Sequence, residues 1–394
     1  MKRILSIFII LTLILGVFVG CSNDNTDSVS NSKVEESSKE VSKEVSEETK
    51  DAVEDKTDKV ELEENQEDEE NKEESDNATP ESMKDEMETA LTEALKPLPE
   101  SGKNEKIGIL VITLNNPFWS NMKEKYELAA NELGVELEVF ATDQEGDAQK
   151  QLEVLESMLA KDYEAIIVSP IDPNNLIPGI VKANEQGIKI INLGPGVNIE
   201  SLEEQGGYLD GRITVDFENQ GKMIAEEIIE KIDGTGKVSI IQGIPGAGQS
   251  EGRTNGAKEK FESTEGINLI SIQAADWDRN KAYETTKALI QANEDLKAIF
   301  AVNDVMALGA VEALEDEGIK DDVIVYGVDF TDEAKTSIEE GKLNGSITYS
   351  PKAYTKAAVI LAQKIIQGHD IKESIYSPLL VVNQENIELF SDWE

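Results

Sequence analysis

Between residues 105 and 394 the chain alternates short apolar runs with longer amphipathic stretches, and this pattern narrows the possible folds more than any other feature. The runs are KIGILVIT (106–113), VELEVFA (135–141), EAIIVS (164–169), IKIINL (188–193), KVSIIQ (237–242), INLISI (267–272), KAIFAV (297–302) and DVIVYGV (322–328). Amphipathic stretches of 12–17 residues, such as Phe118–Leu133 and Ala148–Ala160, separate them. A strand that is apolar along its whole length is covered on both faces, so parallel sheets with helices on either side are expected. A chain of 394 residues exceeds one ordinary core. The number of runs fits two sheets of about six strands better than one, and the expectation is a two-lobed α/β body.

Charge removes several classes of function. The chain has 80 acidic and 37 basic residues, a net charge of −43 at pH 7. Such a surface repels phosphate backbones, which excludes a nucleic-acid binder. One His and one Cys remove most zinc sites, disulfide frameworks and His-dependent triads. Residues 105–394 alone hold 52 acidic and 25 basic residues, which suggests adaptation to high salt, where like-charge repulsion is screened.

The N-terminus explains the single cysteine. Lys2 and Arg3 precede an apolar run from Ile4 to Val19, shorter than the roughly 20 residues that span a bilayer, in the layout of an export signal. Gly20-Cys21 resembles the lipobox of bacterial lipoproteins, with Phe18 where Leu is more usual. That resemblance implies a signal peptide over residues 1–20 and Cys21 as the acylated (palmitate-type) first residue of the mature protein. Two or more acyl chains would anchor it on the outer side of the cell membrane. Residues 21–104 read as an acidic disordered tether. From residue 22 on, this segment has 28 acidic and 10 basic residues and no Trp, Phe or Tyr, too little apolar surface to offset chain entropy. Within it, Met83, Met87, Leu91 and Leu95 recur at four-residue spacing, where a marginal helix could form.

In parallel α/β sheets ligands bind beyond the carboxyl ends of the strands. The loops expected there contain Asn116, Phe118 and Trp119 after the first strand and Ser169 after the third. Later loops contribute Arg253, Trp277, Asn303, Asp329 and Tyr349. Aromatic plates mixed with planar hydrogen-bonding groups suit a polyhydroxylated ring: the plates cover its C–H faces, and Asn, Asp and Arg hold its hydroxyls. Core packing for each aromatic, and helix capping for each Asn or Asp, are the structural alternatives.

The segments LNNPFW (114–119), Gly243–Gly256, AADWDR (274–279), NDVMALGA (303–310), YGVDFT (326–331) and GKLNGSIT (341–348) resemble, in order, the ribose-type solute-binding proteins of bacterial sugar ABC transporters. The resemblance covers 105–385 and implies a type I periplasmic binding protein: two Rossmann-like lobes joined by three crossovers, closing on a sugar. It implies a first lobe of 105–215 plus 350–377, a second of 216–349 plus 378–394, and hinges near 215, 349 and 377. Asn116, Phe118 and Trp119 would then line the first lobe, and Arg253, Trp277, Asn303, Asp329 and Tyr349 the second lobe and hinge. Three departures bear on the ligand. Gly194-Pro195 replaces an Asp-Arg pair that clamps ring hydroxyls in ribose binders, Ser169 replaces an Asn, and Tyr349 a Gln. Ribose is therefore a poor expectation; another pentose, a hexose, a sugar alcohol or a furanose-like signal molecule fits the changed wall.

Other motifs are incomplete. Gly243–Gln249 has phosphate-loop spacing, but Gln249 stands where the Lys belongs. Asp276–Asn280 opens like a calcium loop but has Lys281 for the turn Gly and Lys287 for the final Glu. The cleft carboxylates could imitate a glycosidase pair, but sugar binding accounts for them without chemistry. His369 is expected to face solvent. No cofactor or metal is implied, and a monomer is the default. The resemblance thus implies an extracytoplasmic, lipid-anchored protein, not an enzyme, that presents a small sugar to a transporter permease. The alternative is a sensor of the same fold that signals to a chemoreceptor or sensor kinase.

Overall fold

The computed structural model describes residues 79–394, except 101, 102, 370, 372, 392 and 394. The export signal, Cys21 and the tether as far as residue 78 lie outside the described residues. The body contains two six-stranded sheets. The first is built from β1 (Lys106–Thr113), β2 (Glu136–Thr142), β3 (Ala165–Val168), β4 (Lys189–Leu193), β5 (Gly211–Thr214) and β11 (Ile375–Tyr376), in the order β11-β5-β4-β3-β1-β2. All its pairings are parallel. The second has β6 (Gly236–Gln242), β7 (Ile267–Ala274), β8 (Leu296–Ala301), β9 (Ile324–Val328), β10 (Gly345–Thr348) and β12 (Leu380–Asn383), in the order β12-β10-β9-β8-β6-β7. Only β12 runs antiparallel to its neighbour, β10. The two sheets share one topology, in which the strand order reverses beside β1 and beside β6. Such a reversal opens a crevice at the carboxyl ends of the strands.

Burial follows the apolar runs: β1 is buried from Ile107 through Thr113, and β3 along its whole length. The covering helices are α1 (Pro80–Ala94), α2 (Pro117–Leu133), α3 (Ala148–Met158), α4 (Ile177–Gln186), α5 (Ile199–Glu204), α6 (Phe217–Lys231), α7 (Gly248–Ser263), α8 (Arg279–Ala292), α9 (Asp304–Asp316), α10 (Asp332–Glu339) and α11 (Pro351–Ile366). The chain passes between the sheets three times: from β5 into α6, from β10 into α11, and from β11 to β12.

The tether reading needs correction over its last part. Residues 80–94 form α1, started by a capping box between Thr79 and Ser82. The four-residue spacing puts Met87, Leu91 and Leu95 on one face, and all three are buried in the body's core. Lys364 Nζ fixes the helix end by donating to the carbonyls of Leu95 (2.6 Å) and Pro97 (2.8 Å). A segment poor in apolar residues overall thus folds, because its few apolar side chains fall on one stripe with a partner to cover it.

Candidate functional site

Loops at the carboxyl ends of both sheets line one cavity, in the place where parallel α/β sheets bind small ligands. The first lobe contributes Asn116, Phe118, Trp119, Glu145 and Pro195. The second contributes Phe217, Gln249, Arg253, Trp277, Asn303 and Asp329, and Tyr349 comes from the β10–α11 crossover. Arg253, Asn303, Trp277 and Tyr349 are all buried, so the lobes are closed over these groups.

Local sequence explains the aromatic walls. Asn116 caps α2, its Oδ1 accepting from the Phe118 N–H at 3.0 Å, with Pro117 at the first helical position. This places Phe118 and Trp119 in the first turn, edge to face with centroids 5.0 Å apart. Phe118 also meets Tyr349 edge-on at 6.0 Å. On the second lobe, Asp276 and Trp277 adopt left-handed backbone angles (φ 52° and 64°) before Asp278 caps α8. Trp277 lies against Gly243, where a Cβ would stand 2.3 Å from the indole. That glycine, the first of the segment with phosphate-loop spacing, makes room for the ring. The carboxylates of the calcium-like loop are otherwise engaged: Asp278 accepts from the Lys281 N–H, and Asp276 pairs with Lys281 Nζ at 2.7 Å.

Arg253 reaches the cavity because α6 and α7 touch backbone to backbone. A Cβ at Gly221 would lie 1.9 Å from the Arg253 carbonyl oxygen, and one at Gly256 1.8 Å from that of Glu218. The guanidinium then donates from Nε to Gln220 Oε1 (2.9 Å) and from Nη1 to the Val302 carbonyl (2.9 Å). Its Nη2 stands 3.5 Å from Asp329 Oδ1, and Phe217 lies beneath it at 5.5 Å. Burial pushes the Asp329 carboxyl up to about 6, although Arg253 pulls the other way. Asn303 caps α9, its Oδ1 accepting from the Met306 N–H at 3.0 Å.

Glu145 faces these groups from the loop after β2. Asn116 Nδ2 donates to both of its oxygens at 3.1 Å. Desolvation raises its pKa to about 7, the hydrogen bonds from Asn116 and Trp119 opposing and the charge of Asp329 assisting.

Eight of the nine residues read from the sequence as ligand-binding line this cavity; Ser169 does not. The Ser169 hydroxyl turns inward and donates to the Leu193 carbonyl at 2.8 Å, tying β3 to β4. A serine is too short to reach past that bond into the cleft. Glu145, Phe217 and Gln249 escaped the sequence reading. Glu145 follows the half-buried β2, and Phe217 opens a helix directly after a crossover, so only the strand-end position of each loop could have pointed to them. From sequence Gln249 is only the residue in place of a phosphate-loop lysine; its Oε1 is buried without a hydrogen-bond partner among the described residues.

Residues 107–370 match the periplasmic binding protein domain family. The D-allose-binding periplasmic protein of Escherichia coli is 36% identical over 62% of this chain and 78% of its own length. The ribose import binding protein of Bacillus subtilis is 31% identical over 73% of this chain and 91% of its own. Among solved structures, a periplasmic solute-binding protein of an ABC transporter from Actinobacillus succinogenes, with bound D-allose, superimposes with a TM-score of 0.70 at 32% identity, covering 72% of this chain and 99% of that one. With two parallel-dominated sheets enclosing one cavity, the chain belongs to the type I periplasmic sugar-binding proteins of ABC transporters.

Proposed function

We propose that the protein captures a monosaccharide or cyclic polyol of about hexose size between its lobes and delivers it to an ABC transporter permease. In this reading it is held outside the membrane by acyl chains on Cys21. The observation that supports it best is the composition of the cavity: Phe118 and Trp119 on one wall, Trp277 on the other, and Arg253, Asp329 and Asn303 between them. Aromatic faces cover the C–H faces of a ring, while the guanidinium, carboxylate and amide bind its hydroxyls. The names of the relatives, which bind D-allose and ribose, favour the same chemistry. Pro195 on the first wall, in place of a charged clamp, favours a hexose-sized ring over ribose. A ligand touching both lobes would shift an open–closed equilibrium toward the closed form by its differential affinity, with the three crossovers flexing.

Melting temperature of the purified chain against D-allose, D-ribose, other pentoses and hexoses, and sugar alcohols tests the reading. A ligand at about 100 times its Kd adds roughly 2.7 kcal/mol, a rise of several degrees. Trp277→Ala should weaken binding by roughly 30-fold, the loss of about 2 kcal/mol typical of a buried aromatic anchor. A panel without any shift would remove the sugar. For the anchor, Cys21→Ser should release the protein from the membrane fraction; unchanged sedimentation with membranes would count against acylation.

A further inference from the structure

The cavity contains more negative than positive groups, an imbalance that a neutral sugar does not require. Its one cation, Arg253, is already engaged by Gln220, the Val302 carbonyl and Asp329. Glu145 stands on the opposite lobe, and no salt bridge among the described residues reaches it. Its contacts are the Asn116 amide and the Trp119 side chain, and the charge that acts on it is a second carboxylate, Asp329. Five of the twelve lining residues are aromatic. A partly desolvated carboxylate without a counter-ion is unfavourable. An ammonium placed between aromatic faces and that carboxylate gains a cation–π attraction and a charge-assisted hydrogen bond; a hydroxyl gains neither.

We propose that the ligand is an aminated ring, an amino sugar or amino-cyclitol carrying a protonated amine, and that Glu145 selects it by binding the ammonium. This rests on the cleft being a sugar-type site and adds the charge of the ligand. Arg253 with Asp329 holds hydroxyls on the second lobe, while the ammonium occupies the first. One cation on the ligand also balances the cavity, which with both carboxylates ionised and Arg253 protonated has a net charge of −1. Burial raises the Glu145 carboxyl to about 7, and a bound cation shifts it toward the ionised form.

Matched pairs test this on the full chain at pH 7.5. Titration calorimetry would compare D-glucosamine with D-glucose, D-galactosamine with D-galactose, and an aminated inositol with myo-inositol; N-acetyl-D-glucosamine serves as a substituted but uncharged control. At least one amine should bind ten-fold or more tightly than its neutral partner, and Glu145→Gln, which keeps shape and removes charge, should shrink that ratio to within about two-fold. Neutral members binding as well as or better than amines in every pair, or D-allose binding while all amines fail, overturns the inference and leaves the sugar-binding reading intact. A preference for amines that survives Glu145→Gln overturns the role of Glu145. Silence of all these compounds and of D-allose and D-ribose defeats both readings together. If Glu145→Gln fails to fold, the wild-type pairs still decide.

Discussion

Asp304 does not line the cavity, yet it holds the backbone that aims Asp329 into it. Its Oδ2 accepts from the Thr331 N–H and its Oδ1 from the Ser346 hydroxyl, both at 2.8 Å, and Ser346 Oγ accepts from the Phe330 N–H. Asp329 (φ 109°) and Phe330 (φ 54°) both lie in the left-handed region, where a non-glycine residue costs about 1–3 kcal/mol. Asp304→Ala leaves one buried and one part-buried donor unpaired and should destabilise the body by about 1–3 kcal/mol in urea unfolding, weakening ligand binding as well; Asp304→Asn should recover part of both. Burial raises the pKa of Asp304 and of Asp329, the latter to about 6. A carboxyl whose folded pKa lies above its unfolded value binds its proton more tightly in the folded state. It therefore penalises stability above the folded pKa, and the penalty fades as pH falls toward the unfolded value. For Asp329 this amounts to at most about 3 kcal/mol between pH 7 and pH 4. The unliganded chain should melt higher at pH 5.5 than at pH 7.5, and Asp329→Asn should reduce that difference. A melting temperature that falls steadily below pH 7.5 would contradict this.

Among the elements, α1 lies outside the matched family region of 107–370 and yet belongs to the body. It packs on α11 and reaches both β11 of the first sheet and β12 of the second, and Lys84 Nζ donates to the Leu389 carbonyl at 2.7 Å. Leu91→Ala should cost about 2–4 kcal/mol in urea unfolding, the usual range for a buried leucine; a change below 0.5 kcal/mol would mean that α1 does not dock in solution. Sequence patterns made the elements legible to unequal degrees. Eight strands were readable as apolar runs; six of them are buried along most of their length, and the edge strands Glu136–Thr142 and Ile267–Ala274 are only partly covered. The other four, Gly211–Thr214, Gly345–Thr348, Ile375–Tyr376 and Leu380–Asn383, have two to four residues each, too few to establish a period, although the two-sheet count anticipated them. Residues that cap helices at strand ends, Asn116 and Asn303, were readable because their position follows from local rules. Ser169 was not, because its hydroxyl answers to a carbonyl on the neighbouring strand, and such a partner is set by sheet packing. Glu145 was one acidic residue among 80 until the fold placed it opposite Arg253.

At the scale of the whole molecule the charge becomes decisive. Residues 105–394 have 52 acidic against 25 basic side chains, so even full pairing of every lysine and arginine would leave about half the carboxylates unpaired. Surface pairs such as Lys106–Asp162 and Lys231–Glu385 are each worth about 0–1 kcal/mol and weaken with salt. The unpaired carboxylates repel one another over a screening length of about 10 Å at 0.1 M salt and about 3 Å at 1 M. The repulsion involves more groups than the pairing does, so added salt should stabilise on balance. Between 0.05 and 1 M KCl the melting temperature should rise by about 5 °C, equivalent to roughly 2 kcal/mol for a body this size. An unchanged or falling value would mean that the acidic surface is already relieved within the fold. The same field bears on ligand capture. A strongly negative molecule draws a cation toward its cleft and does nothing for a neutral ring, so association of an aminated ligand should slow as salt rises while that of D-allose stays level. Stopped-flow association rates for one amine and its neutral partner at 0.05 and 0.5 M KCl separate the two. A salt-independent rate for the amine would mean that the acidic surface serves solubility in salt and plays no part in gathering the ligand.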